Sequence, residues 1–224
     1  MIYFIFIAIA IASYAVQSSL KRKFERYSKI PIGHGMSGRD VAAKMLYDNG
    51  ISDVAVKSTS GMLSDYFNPQ DKTVNLSDGV YAVNSVAAAA VAAHECGHAV
   101  QHAVGYGPLR LRSALVPMVA FASQWVSWIL LAGILLIQTM PAIMGVGIAL
   151  FALTTLFSFV TLPVEIDASR RAIAWLDRSG LTQGQTTEYA RDALRAAAYT
   201  YVVAALGSLA TLVYYLLVFV NRRD

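Results

Sequence analysis

Four apolar stretches govern what this chain can fold into: residues 1–20 (MIYFIFIAIAIASYAVQSSL), 114–137 (ALVPMVAFASQWVSWILLAGILLI), 141–162 (PAIMGVGIALFALTTLFSFVTL) and 198–220 (AYTYVVAALGSLATLVYYLLVFV). Each meets the requirement of a membrane-spanning helix, about 20 predominantly apolar residues. Composition agrees: the 224 residues are 56% hydrophobic and 14% charged, with a mean hydropathy of +0.50, more apolar than a soluble globule. The first stretch lacks a basic leading segment and an A-x-A cleavage site, and KRK follows it directly. It therefore reads as a retained anchor.

The basic residues give an orientation. Lys21, Arg22, Lys23, Arg26 and Lys29 follow the first stretch, Arg110 and Arg112 precede the second, and Arg170, Arg171, Arg178, Arg191 and Arg195 lie between the third and fourth. By the positive-inside rule the loops at about 21–113 and 163–197 are cytoplasmic, with the N-terminus and the Gln138-Thr139-Met140 turn outside. Arg222 and Arg223 alone oppose this. The isoelectric point near 9.2 thus reflects topology. No basic patch interleaved with aromatics argues for nucleic acid. A lone cysteine, Cys96, excludes an internal disulfide and reads as a packing residue.

The first loop reads as a small folded unit. SGRDVAAKMLYDNG (37–50) has Ser37 as N-cap, an apolar face at Val41, Met45 and Leu46, and Gly50 as a stop. SDVAVKS (52–58) and KTVNLS (72–77) read as short strands joined by the turn-rich GMLSDYFNPQD. The alanine-rich run that follows predicts a helix over about 84–104, ended by Gly105. With no internal repeat and no low-complexity linker, residues 1–224 read as one integrated domain.

That helix carries AAHECGHAVQH, which holds three of the four histidines in the chain. His94 and His98 are one turn apart on one face, so both imidazoles can reach one zinc ion at about 2.0–2.1 Å. His102 lies about 12 Å along the axis from His94, too far to share a tetrahedral ion, and reads as a supporting or surface group. Glu95 is offset by about 100 degrees. It is placed to hydrogen-bond a water whose pKa the metal has lowered towards 7. This is the logic of H-E-x-x-H.

Catalytic zinc sites commonly use three protein ligands. The third must lie on the same side of the membrane as the helix, and LPVEIDASRRA (162–172), just past the third apolar stretch, meets that condition. Glu165 and Asp167 are both candidates. They are about 200 degrees apart on a helix, so they cannot both face the metal.

AVAAHECGHAVQHAVGYGPLRLRS, two spans, and then PVEIDASRRA resemble the bacterial YugP-type neutral zinc membrane peptidases, a gluzincin-like family related in plan to the HtpX proteases. The resemblance extends from GRDVAAKMLYDNGI through GMLSDYFNP and VNLSDGVY to AAAYTYVVAAL. It implies a zinc-dependent endopeptidase in the bacterial cell membrane, multi-pass, with its active site on the cytoplasmic side. His94, His98 and Glu165 would be the ligands and Glu95 the general base. The fold implied is mainly α and polytopic, with about four transmembrane helices and a small zincin-like α+β element that carries the HExxH helix. Two positions depart from the family pattern. Tyr66-Phe67 stands where His-Tyr is usual after Asp65, and Ser169 stands where the HtpX-like pattern has an Asp supporting a ligand histidine, so that support falls to Asp167 or another residue.

Zinc, a protein or peptide substrate and the lipid bilayer are thus the expected partners. Tyr199, Tyr201 and Arg170 are candidates for stabilising the oxyanion, although such residues at a membrane interface also serve as anchors. Val74, Asn75 and Leu76 of KTVNLS are candidates for a strand edge to which an extended substrate adds. A zinc-binding membrane scaffold without catalysis is the main alternative, yet it has no need of Glu95. A zinc transporter would place ligands within the spans, which here are almost free of ionisable groups. Reporter fusions after residues 80 and 180 should both register as cytoplasmic, and an external signal from either would refute the orientation.

Overall fold

Long apolar runs become long helices. The structure, a computed structural model, describes residues 2–61 and 64–221; Met62 and Leu63 of the turn-rich segment, and Arg222 and Arg223, lie outside the described residues. The chain is mainly helical, with α1 (Ile2–Tyr27), α2 (Gly38–Asp48), β1 (Ala55–Thr59), β2 (Tyr66–Asn68), β3 (Thr73–Ser77), α3 (Asp78–Tyr81), α4 (Val86–Ala103), α5 (Gly107–Leu135), α6 (Pro141–Arg178) and α7 (Gln185–Val220). The helices over Phe4–Tyr27, Gly107–Leu135, Pro141–Arg178 and Gln185–Val220 are each long and apolar enough to cross a membrane.

These helices outrun the apolar stretches that announce them. α6 continues through Pro163 to Arg178, and α7 begins at Gln185, so most of the segment expected as a loop at 163–197 is helical. A proline removes one N–H donor and crowds the preceding turn, but the turns on either side keep their own bonds. Beyond Pro163, Val164, Ala168, Ala172 and Leu176 are all fully buried, which sustains the helix.

The residues group into two compact units. One comprises Met1–Ala15, Arg110–Leu162 and Thr200–Asp224. Within it Val126, Leu130, Met144 and Ile148 form a buried cluster, while Phe121, Trp128 and Leu135 stay exposed, as expected of helices facing lipid. Small residues let the helices approach: a Cβ at Gly133 would lie 2.7 Å from Met144 Cα, and one at Gly147 would lie 2.8 Å from Leu130 Cδ2. Thr155 and Ser208 hydroxyls bond across α6 and α7 at 2.7 Å.

The other unit comprises Val16–Leu109 and Pro163–Tyr199 and contains the sheet. Ser37 opens α2 with a capping box shared with Asp40, and that bond holds the Asp40 carboxyl below the usual range. Gly50, with φ of +70°, closes it. Ser85 caps α4 by accepting from Ala88 N at 3.1 Å. Val41, Met45, Leu46, Val74, Leu76, Val80 and the alanines of α4 up to Ala99 form one core. Alanine suits α4 because both helical propensity and close packing on every side are required.

The sheet has the order β1-β3-β2, with β1 parallel and β2 antiparallel to β3. This corrects the expectation for Val74, Asn75 and Leu76. They lie on the central strand, every residue of β3 is buried, and both sides of its backbone are paired, so β3 offers no edge to a substrate. The edges are β1 and β2.

α4 and α6 cross in close contact at Gly97, where a Cβ would lie 2.7 Å from the Ala168 carbonyl oxygen. Gly97→Ala must therefore force the helices apart, at about 1–3 kcal/mol for an overpacked core position. Thermal unfolding in detergent should show a lowered midpoint for Gly97→Ala and none for Gly79→Ala, since a Cβ at helical Gly79 meets nothing within 4 Å. Equal midpoints for the two variants would contradict the close crossing.

Candidate metal centre

Because α4 is regular from Val86 to Ala103, His94 and His98 stand one above the other, with ring centroids 4.8 Å apart and planes at 83°. α6 delivers Glu165 to them. Its Oε2 lies 3.2 Å from His94 Nε2 and 3.7 Å from His98 Nε2. The ligand atoms of His94, His98 and Glu165 all fall within 4.8 Å of one another.

This donor set fits zinc. Ligands at about 2.0–2.1 Å in a tetrahedron are separated by about 3.3 Å, and the observed separations bracket that value. Two imidazoles and one carboxylate are also a chemically apt set, leaving one tetrahedral position for water. The electrostatics favour a cation. Burial lowers the pKa of His98, but hydrogen bonding to Glu165 and the charges of Glu95 and Glu165 outweigh it and hold the imidazole above its usual value.

Glu95, only 9% exposed, is not one of the three donors. Its Oε2 accepts a hydrogen bond from Phe67 N at 3.1 Å. The N–H of Phe67 therefore points away from β3, so the outer edge of β2 borders this carboxylate. His102 is exposed on α4 and sits against the Phe67 ring at 5.8 Å. Cys96 is buried with Sγ against Ala42 O at 3.5 Å, and burial, followed by the Glu95 charge, pushes its thiol well above the ordinary value. It packs.

Asp167 faces away from the donor trio. It accepts from Gln101 Nε2 at 2.9 Å and from Arg171 Nε at 2.6 Å. Ser169, which stands where the HtpX-like pattern has an aspartate, itself touches His94 Nδ1 at 3.1 Å. Gln101 is the residue that sequence reasoning missed: fully buried, it meets His98 Nδ1 through Oε1 at 3.0 Å. The signal was present as a polar residue three positions after His98, on the same face of an alanine-rich helix. Arg170 and Tyr199 are exposed, Tyr199 at 58%, and Tyr201 belongs to the apolar unit.

No solved structure matches the chain. A protein of Bacillus subtilis (strain 168) called "Putative membrane protease YugP" is 40% identical over 223 residues, covering 99% of this chain and 98% of that protein. Residues 2–220 match the family described as "Putative neutral zinc metallopeptidase". With the match extending over nearly its whole length, the chain belongs to this neutral zinc metallopeptidase family.

Proposed function

We propose that this protein is a zinc-dependent endopeptidase of the bacterial cell membrane, acting over residues 1–224 as one peptidase on membrane or membrane-proximal proteins. One observation carries the reading. The donor atoms of His94, His98 and Glu165 converge within 4.8 Å from two separate helices, with the Glu95 carboxylate next to them in sequence but outside the trio. Membership of the family and the relative's printed description support the same activity.

His94, His98 and Glu165 would hold the ion. Bound there, zinc supplies Lewis acidity, polarising the scissile carbonyl and lowering the pKa of a water towards 7. Glu95 accepts the proton of the attacking water and returns it to the leaving amine. Its hydrogen bond from Phe67 N keeps the carboxylate from rotating out of reach. α4 with its sheet serves as the zincin-like element. An extended substrate segment lies beside β2 and Glu95, and folded surfaces cannot present one, so loops and unfolded segments are the substrates. The basic residues of 21–113 and 163–197 support a cytoplasmic placement of this unit.

Glu95→Gln preserves size and hydrogen bonding but cannot accept a proton. At equal zinc stoichiometry, this variant should cleave an unfolded protein substrate in detergent about 10²–10⁴-fold more slowly than wild type. Undiminished cleavage would remove Glu95 from the base role and reopen the scaffold reading.

A further inference from the structure

Gln101 is 0% exposed and is bonded at both ends of its amide. Its Nε2 lies 2.8 Å from Val164 O and 2.9 Å from Asp167 Oδ2. A backbone carbonyl accepts only, and so does an ionised carboxylate, so this end of the amide must be the NH₂. The other end is then a carbonyl oxygen, turned to His98 Nδ1 at 3.0 Å. A carbonyl oxygen accepts only. His98 must therefore carry a proton on Nδ1, which leaves Nε2, the atom that faces Glu165, as the nitrogen that can be freed for a metal.

We propose that Gln101, fixed in turn by Asp167 and Val164 O, is a positioning residue that locks His98 in the tautomer needed to ligate metal through Nε2. This rests on the zinc reading of His94, His98 and Glu165. The lock has a rear support, because Asp167 is held by Arg171 Nε at 2.6 Å, and the Arg171 guanidinium lies 5.9 Å from the Tyr106 ring centroid. Arg171, Asp167, Gln101 and His98 thus form one chain in which each donor and acceptor role follows from the one before. His94 has no such lock. Its Nδ1 meets the Ser169 hydroxyl at 3.1 Å, and a hydroxyl donates or accepts as required. The two histidines differ accordingly: His98 has a dictated tautomer, and His94 has one that adapts.

Partners that orient metal ligands are typically worth about 10–100-fold in metal affinity, and an acceptor on the far ring nitrogen also raises ligand basicity. Gln101→Met keeps the chain length and removes both hydrogen-bonding ends. The test uses the full-length protein in detergent with ¹⁵N-labelled histidine, metal-free and at alkaline pH. Wild type should show His98 as a single Nδ1–H tautomer, and Gln101→Met should show both tautomers in exchange. Zinc affinity, measured by competition with a chelator, should fall by about 10–100-fold in Gln101→Met. A packing role alone would not move the tautomer signal. An Nε2–H tautomer of His98 in wild type would overturn the proposal without any variant, as would wild-type zinc affinity in Gln101→Met. Wild-type protein that binds no zinc would sink the metal reading and the proposal with it, an outcome seen on the unmutated chain and so distinct from the others.

Discussion

The close crossing of α4 and α6 is the constraint on which the site depends. His94 and His98 come from one helix and are legible as a pair, but a third donor must arrive from elsewhere in the chain and stop at the right distance. Gly97 sets that distance, because any side chain there would strike the Ala168 carbonyl. The residue lies inside HECGH, at a position the motif leaves open. One atom fewer at 97 is what lets Glu165 stand 3.2 Å from His94.

Burial then raises the stakes for every polar group nearby. Glu165 is only 3% exposed, and an unpaired buried carboxylate carries a penalty of several kcal/mol. The two imidazoles answer it, and they in turn are answered at their far nitrogens by Ser169 and Gln101. Asp167 and Arg171 extend the network to partly exposed positions. The trio is assembled from α4 and α6 as they stand, with the far nitrogen of each imidazole hydrogen-bonded.

Much of this was legible in the sequence, and what was not has physical reasons. The helix around HECGH could be read because its signals are local: Ser85 to cap it, alanines to propagate it, and Gly105 at φ +66° to end it. The capping box at Ser37 and the apolar spans are local signals too. Strand order is not local. β3 looked like an edge because nothing in KTVNLS reveals that β1 and the three-residue β2 flank it, and β2 itself was hidden in a turn-rich segment. The third apolar stretch stops at Leu162, whereas burial of successive turns beyond it keeps α6 intact. Glu165 and Asp167 could be separated in principle by their angle on a helix, but only the fold shows which one faces the histidines. Ser169 stood out as a departure from a pattern. Its contact with His94 shows that a hydroxyl can occupy the place of the carboxylate there.

The central claim is that one ion is held by two residues of α4 and one of α6. Anomalous diffraction from crystals of zinc-loaded protein, collected on both sides of the zinc absorption edge, addresses it without reference to activity. The expected result is a single strong peak at about 2.0–2.2 Å from one nitrogen each of His94 and His98 and from a Glu165 carboxylate oxygen. A peak that engages Glu95 or Asp167 in place of Glu165, or that lies away from α4 altogether, would contradict the account.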